Sequence, residues 1–273
     1  MRRGVLGVPE PHSIGAADGI TGVEDSVQTR PVDAPGVDEL TAALNVQEQR
    51  TLTGGGDYYV GEALRERVVE DESYHVEEGS IKQRTTVDNV VQDYTRFVVA
   101  PATDSHRGLM VVSSSDGLFA FGMVSRQNVG RIVDADLELG SFYLDREDTF
   151  TPQTSGGPTS SFEAGKRTAW GDDVFEDEDL NSLLSSAVRH DRLDQLAGEY
   201  IYEEDGSGIP YKVNMARSGY VEVWNPSDLT TGQFLRWVRN EVLPYAGVED
   251  EDDEDEEQST LPGTDTEEDE GAA

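Results

Sequence analysis

Leu109-Met110-Val111-Val112-Ser113-Ser114-Ser115-Asp116-Gly117-Leu118-Phe119-Ala120-Phe121-Gly122-Met123-Val124 decides the fold class. Two apolar runs flank a Ser-Ser-Asp-Gly segment, and Asp-Gly supplies the positive φ that a tight reversal needs. The pattern predicts a β-hairpin in which 109–113 pairs with 118–124. In the second arm Phe119, Phe121 and Met123 alternate with Leu118, Ala120 and Gly122, so both faces are expected to be covered.

The same character extends outward. Thr95 to Ala100 reads as a strand before the hairpin, and 132–136 and 137–144 as strands after it. Further on, Tyr211 to Met215 and Tyr220 to Trp224 form a second hairpin around Arg217-Ser218-Gly219. Helices are expected near 37–48, where Leu40 and Leu44 share a face, near 58–70, with Val60, Leu64 and Val68, near 180–200, and at 231–245, with Phe234, Leu235, Val238 and Val242 inward. The expected fold class is α+β: an antiparallel sheet, with strands within 95–144 and a hairpin at 211–224, packed with these helices.

Apolar residues concentrate in 87–144 and thin out in 145–179. The expected organisation is a flexible N-terminal arm at 1–36, a single α+β domain at 37–246 with a mobile loop at 145–179, and a disordered acidic tail at 247–273.

Composition bounds the chemistry. The 273 residues hold 56 acids against 21 lysines and arginines, a formal charge of −35. Fourteen of the acids follow Gly247, nine of them in the unbroken run Glu249 to Glu257. The rest of the chain is still at −21. Only three bases are lysines, Lys82, Lys166 and Lys212. Scarce lysine with abundant Asp and Glu resembles the proteins of salt-in halophilic archaea. In molar salt the Debye length falls to about 3 Å, so neighbouring carboxylates cease to repel strongly. There is no cysteine, which excludes disulfides, thiolate metal sites and cysteine nucleophiles. No apolar run approaches the roughly 20 residues needed to cross a bilayer as a helix. Arg2-Arg3 is followed by no apolar export segment, and the expected location is cytoplasmic.

Three constellations carry chemical content. Asp134, Asp136 and Glu138 stand two apart, which on a strand puts three carboxylates on one face, a set able to hold Mg²⁺ for phosphoester chemistry. The plainer reading is the solvated face of an amphipathic strand in an acid-rich chain. His190-Asp191 lacks the second His and Asp that HD-type phosphohydrolases use. Ala164-Gly165-Lys166-Arg167-Thr168 departs from a phosphate-binding loop at two places, Ser160 standing for its first Gly and Arg167 for its Ser or Thr. Arg236 and Arg239 on the last helix are the candidates for nucleic-acid contact, opposed by a body at −21.

The leading expectation is therefore a salt-adapted, cytoplasmic, non-enzymatic protein-interaction module from a halophilic archaeon or its mobile elements. Its expected partner is another protein, with no cofactor and no membrane. One alternative is a metal-dependent phosphodiesterase or nuclease using Asp134, Asp136 and Glu138. The other is a regulatory DNA-binding protein using Arg236 and Arg239.

Overall fold

The computed structural model describes residues 1–10, 19–34, 37–52, 55–77, 80–103, 106–128, 130–152, 193–204 and 207–247. They form a sheet-rich molecule with a few short helices. The strands are β1 (Arg3–Pro9), β2 (Ser26–Ala34), β3 (Val37–Thr51), β4 (Asp57–Glu77), β5 (Ser80–Ala100), β6 (Leu109–Val112), β7 (Ile132–Asp134), β8 (Asp136–Leu137), β9 (Thr151–Pro152), β10 (Gln195–Glu204), β11 (Ser207–Ala216), β12 (Tyr220–Asn225) and β13 (Ala246–Gly247). The helices are α1 (Phe119–Ser125), α2 (Leu139–Leu144) and α3 (Thr231–Trp237). A π turn (Val238–Val242) and a 3₁₀ turn (Leu243–Tyr245) continue α3.

Eleven strands make one antiparallel sheet in the order β2-β3-β4-β5-β6-β1-β12-β11-β10-β9, with β7 on β1, while β8 and β13 pair separately. β1 joins the two halves. One edge sets Val5, Leu6 and Gly7 opposite Val112, Val111 and Met110 of β6. The other is shared: Arg3 to Val5 face β12, and Gly7 to Pro9 face β7.

β6, Gly4 to Val8 of β1 and Phe97 to Ala100 of β5 are apolar at every position because both sheet faces are covered there. On one face Val5, Phe97, Val99, Met110 and Val112 pack under α1, which contributes Ala120, Phe121, Met123 and Val124. On the other, Leu6, Val8, Val98, Ala100, Leu109 and Val111 pack under Phe142 and Tyr143 of α2 and Phe234, Leu235 and Trp237 of α3. Consecutive residues thus feed opposite cores, as the period of two requires. α3 starts at a capping box: Gln233 N donates to Thr230 Oγ1 at 3.2 Å, and Thr230 N donates to Gln233 Oε1 at 3.0 Å.

Several expectations are corrected. The 1–36 stretch, expected as a flexible arm, supplies β1 at the sheet centre, β2 at its edge, and the buried Ile20 and Val23. The expected helices at 37–48 and 58–70 are β3 and β4. Their apolar residues recur every four positions, and four is an even number, so Leu40 and Leu44 share a face on a strand as they would on a helix. The expected return arm at 118–124 is instead α1. The chain turns through a 3₁₀ segment at Ser115–Gly117, and Ala120, Phe121 and Val124 form one helical face. Strand character at 137–144 ends at Leu137, and α2 follows. The part of the 180–200 helix that is described, from Gln195 onward, is β10. Residues 153–192, which include Leu180 to Asp191 and most of the 145–179 loop, and residues 248–273 of the acidic tail lie outside the described residues.

The strands at 95–100 and 109–112 agree with expectation, as do the 211–224 hairpin and the helical start at 231. Gly219 closes that hairpin at φ +80°, and its amide nitrogen lies 2.7 Å from Arg217 O. No described helix is long and apolar enough to cross a membrane.

Candidate functional site: an arginine-lined groove at the sheet junction

The three carboxylates singled out in the sequence fall on three different elements. Asp134 ends β7 and is exposed, Asp136 lies in β8 opposite Gly247, and Glu138 caps α2, accepting from Ser141 Oγ at 3.2 Å. Their alternation with buried Ala135, Leu137 and Leu139 holds. The strand does not run on, because Ala135 N bonds to Leu6 O, Leu137 N to Arg217 O and Glu138 N to Tyr245 O, each from a different part of the chain. Among the described residues no three His, Asp or Glu side chains are grouped so as to hold a metal ion. His190, Asp191 and the 164–168 segment lie outside the described residues.

Arg239 is 5% exposed, and its Nη2 donates to Pro101 O at 3.1 Å. Burial lowers its pKa. Its guanidinium is thus turned inward, away from any phosphate backbone. Arg236, in the last turn of α3, is only partly exposed. The two do not form a basic face.

Arginines gather instead where the first residues of the chain enter the sheet. β1, β3, β4, β5 and β12, with Ser113 just after β6, enclose a groove of about 920 Å³ lined by Arg2, Arg3, Arg96, Gln47, Ser113 and Trp224, among others. The volume is within the range of ligand and peptide clefts. Each arginine is placed by backbone pairing. Arg3 stands opposite Glu222 in register, with Nη1 3.8 Å from its carboxylate. Arg2 O accepts from Val223 N at 2.9 Å, and Arg2 Nη1 donates to Ser227 O at 2.7 Å. Arg96 O accepts from Ser113 N at 2.9 Å. The floor passes Gly61, where any Cβ would collide with the Phe97 ring.

The arginines keep their heads in solvent: the Arg3 and Arg96 side chains are 69% and 70% exposed. Glu222 and Glu62 offset part of the charge. Arg96 Nε lies 3.6 Å from Glu62 Oε1, and Tyr94, itself 51% exposed, donates its hydroxyl hydrogen to the same carboxylate. That hydrogen bond leads in holding the Glu62 pKa below the usual carboxylate range. The Met1 amino group donates to Thr231 Oγ1 at 2.7 Å. Burial first, then repulsion from Arg2 and Arg96, lowers its pKa. Partly exposed Trp224 and exposed Tyr94 complete a surface of arginine and aromatic residues, the types enriched at protein-binding hot spots.

A second groove, of about 880 Å³, lies at Thr21 to Ser26, Val46, Gln49, Tyr59 and Gln127 and has the opposite character. Its charged residues are Glu24 and Asp25, and Asp25 is engaged by Val46 N at 2.6 Å. Sequence reasoning missed the arginine groove because its members are scattered from residue 1 to residue 224.

No family model, no curated protein and no solved structure matches the chain.

Proposed function

We propose that the protein is a non-enzymatic interaction module, salt-adapted and cytoplasmic, that binds an acidic segment of another protein in the Arg2–Arg3–Arg96 groove. The observation that carries the reading is the convergence of three arginines, with Trp224 beside them, in a chain whose acids outnumber its bases 56 to 21. Guanidinium groups bind carboxylates through paired N–H donors, a short-range geometry that survives salt better than diffuse attraction does. Trp224 and Tyr94 add apolar contact, which salt does not screen.

The composition supports a host that accumulates salt, a halophilic archaeon or one of its mobile elements. The test is affinity capture from such a host's lysate at its own salt concentration, with the unmodified protein and Arg2→Glu/Arg3→Glu/Arg96→Glu compared side by side. The reading expects partners retained by the first and lost from the second. Identical retained sets would refute it.

A further inference from the structure

β4 and β5 are 21 residues each, and only their inner ends belong to the body of the sheet. β3 pairs with β4 up to Ala42 opposite Arg65, and β6 pairs with β5 only from Phe97 to Ala100. Beyond Arg65 the ladder continues from Glu66 opposite Gln92 to Glu77 opposite Ser80 with no third strand on either edge among the described residues. At about 3.3 Å per residue the twelve residues from Glu66 to Glu77 span roughly 40 Å.

A two-stranded ribbon is marginally stable in water by itself, and its unpaired edges invite pairing with another chain. No proline interrupts either edge between Asp57 and Ala100, whereas the edge strand β2 carries Pro31. Residues 70–89 hold six acids against Lys82 and Arg84.

The ribbon grows out of the wall of the arginine groove. Val60 and Gly61 of β4 and Arg96 to Val98 of β5 line that groove, and both strands run from there toward the tip. A continuous ladder therefore holds the acidic tip about 50 Å from its own groove, counting the residues from Gly61 to Glu77 at the same rise. The tip is out of reach of its own groove and within reach of another molecule's.

We infer that the acidic partner segment is the β4–β5 ribbon of a second copy of this chain, seated head-to-tail in the Arg2–Arg3–Arg96 groove. The inference rests on the proposed reading of the groove and supplies its occupant by charge complementarity. A contact of this kind joins two different surfaces, so reciprocal exchange closes two chains into a two-fold dimer and one-way insertion gives a larger ring or a filament.

The experiment is sedimentation velocity of the full chain across a hundredfold concentration range in multimolar KCl. Oligomers that grow in population with concentration are expected. Arg2→Glu/Arg3→Glu/Arg96→Glu should reduce the assembly to monomers, as should Glu70→Lys/Asp71→Lys/Glu72→Lys, with each variant's circular dichroism matching the unmodified protein. Combining all six substitutions in one chain should restore assembly, an outcome that simple misfolding does not produce. Mixing the two monomeric triple variants should also restore assembly, because the acidic ribbon of one meets the arginine groove of the other and the lysine ribbon meets the glutamate groove. A monomer at every concentration, or assembly indifferent to the groove or ribbon substitutions, would overturn the inference. Those results leave the groove reading to stand or fall by the lysate comparison, where a different acidic partner would still be lost with the arginines.

Discussion

Arg146 Nη2 lies 2.6 Å from Glu241 Oε2, tying α2 to the π turn. Both side chains are largely covered, at 14% and 21% exposure. The guanidinium stands 3.9 Å from the Phe142 ring centroid and within 5.5 Å of those of Tyr200 and Tyr245. It also donates to Phe142 O and Tyr245 Oη, each at 3.1 Å. Removing one partner of such a pair leaves a covered, uncompensated charge and costs about 3 kcal/mol. Glu241→Leu and Arg146→Met should therefore each destabilise strongly, while Arg146→Met/Glu241→Leu should lose less than the two single changes added together. Denaturant unfolding of the four proteins in a double-mutant cycle checks this; additive losses would show that the pair is energetically independent.

The ribbon root should loosen in acid. Arg65 Nη2 and Arg67 Nε lie 2.8 and 3.0 Å from Asp93 Oδ2. The hydrogen bond from Arg65, then that from Arg67, holds the Asp93 pKa below the usual range against the opposing effect of burial. A depressed carboxylate adds stability above its unfolded value of about 3.9, and that contribution is lost as pH falls through the folded value. Amide protection factors at 66–69 and 90–93, measured against the intrinsic exchange rate at each pH, should fall below about pH 4 in the unmodified protein. In Asp93→Asn they should already be low at neutral pH, with little further change.

Tyr220 makes the opposite prediction at the alkaline end. Burial first, then the hydrogen bond it donates to Glu222 at 2.9 Å, pushes its pKa up to about 12. The fold thus favours the protonated phenol. Its contribution is complete below the unfolded value of about 10 and declines as pH rises from there through 12. Tyr220→Phe should flatten the loss of stability between those two values, as read by thermal melts. Unchanged pH dependence would mean that Tyr220 does not titrate in this range.

Salt adaptation predicts that stability rises from 0.1 M to multimolar KCl, since a charge of −35 repels itself least where screening is strongest. Melting temperatures that peak in dilute buffer would refute it.

Some of this was legible in the sequence and some was not. Phe97 to Ala100, within the 95–100 strand, and the run at 109–112 announced central strands because burial on both faces leaves no polar position. Gly219 announced its turn because the backbone there needs a positive φ. Leu40 and Leu44 misled because a spacing of four suits both periods, and Phe119, Phe121 and Met123 because three alternating residues are too few to exclude a helix. The N-terminal residues resisted reading for another reason. Arg3 to Pro9 is a strand only by virtue of β6, β7 and β12, whose residues lie more than 100 positions away in sequence. The groove depends on the same long-range pairing, so no local motif marks it.

The central claim is that a protein partner covers the arginine groove, and arginine footprinting tests it most directly. The purified protein at low concentration and the same protein in host lysate, at equal salt, are treated briefly with phenylglyoxal, and modification is measured by mass spectrometry. Arg131, with a side chain 68% exposed and far from the groove in sequence, serves as the internal reference. The account predicts that Arg2, Arg3 and Arg96 become several-fold less reactive in lysate relative to Arg131. Equal relative reactivity in buffer and lysate would contradict it.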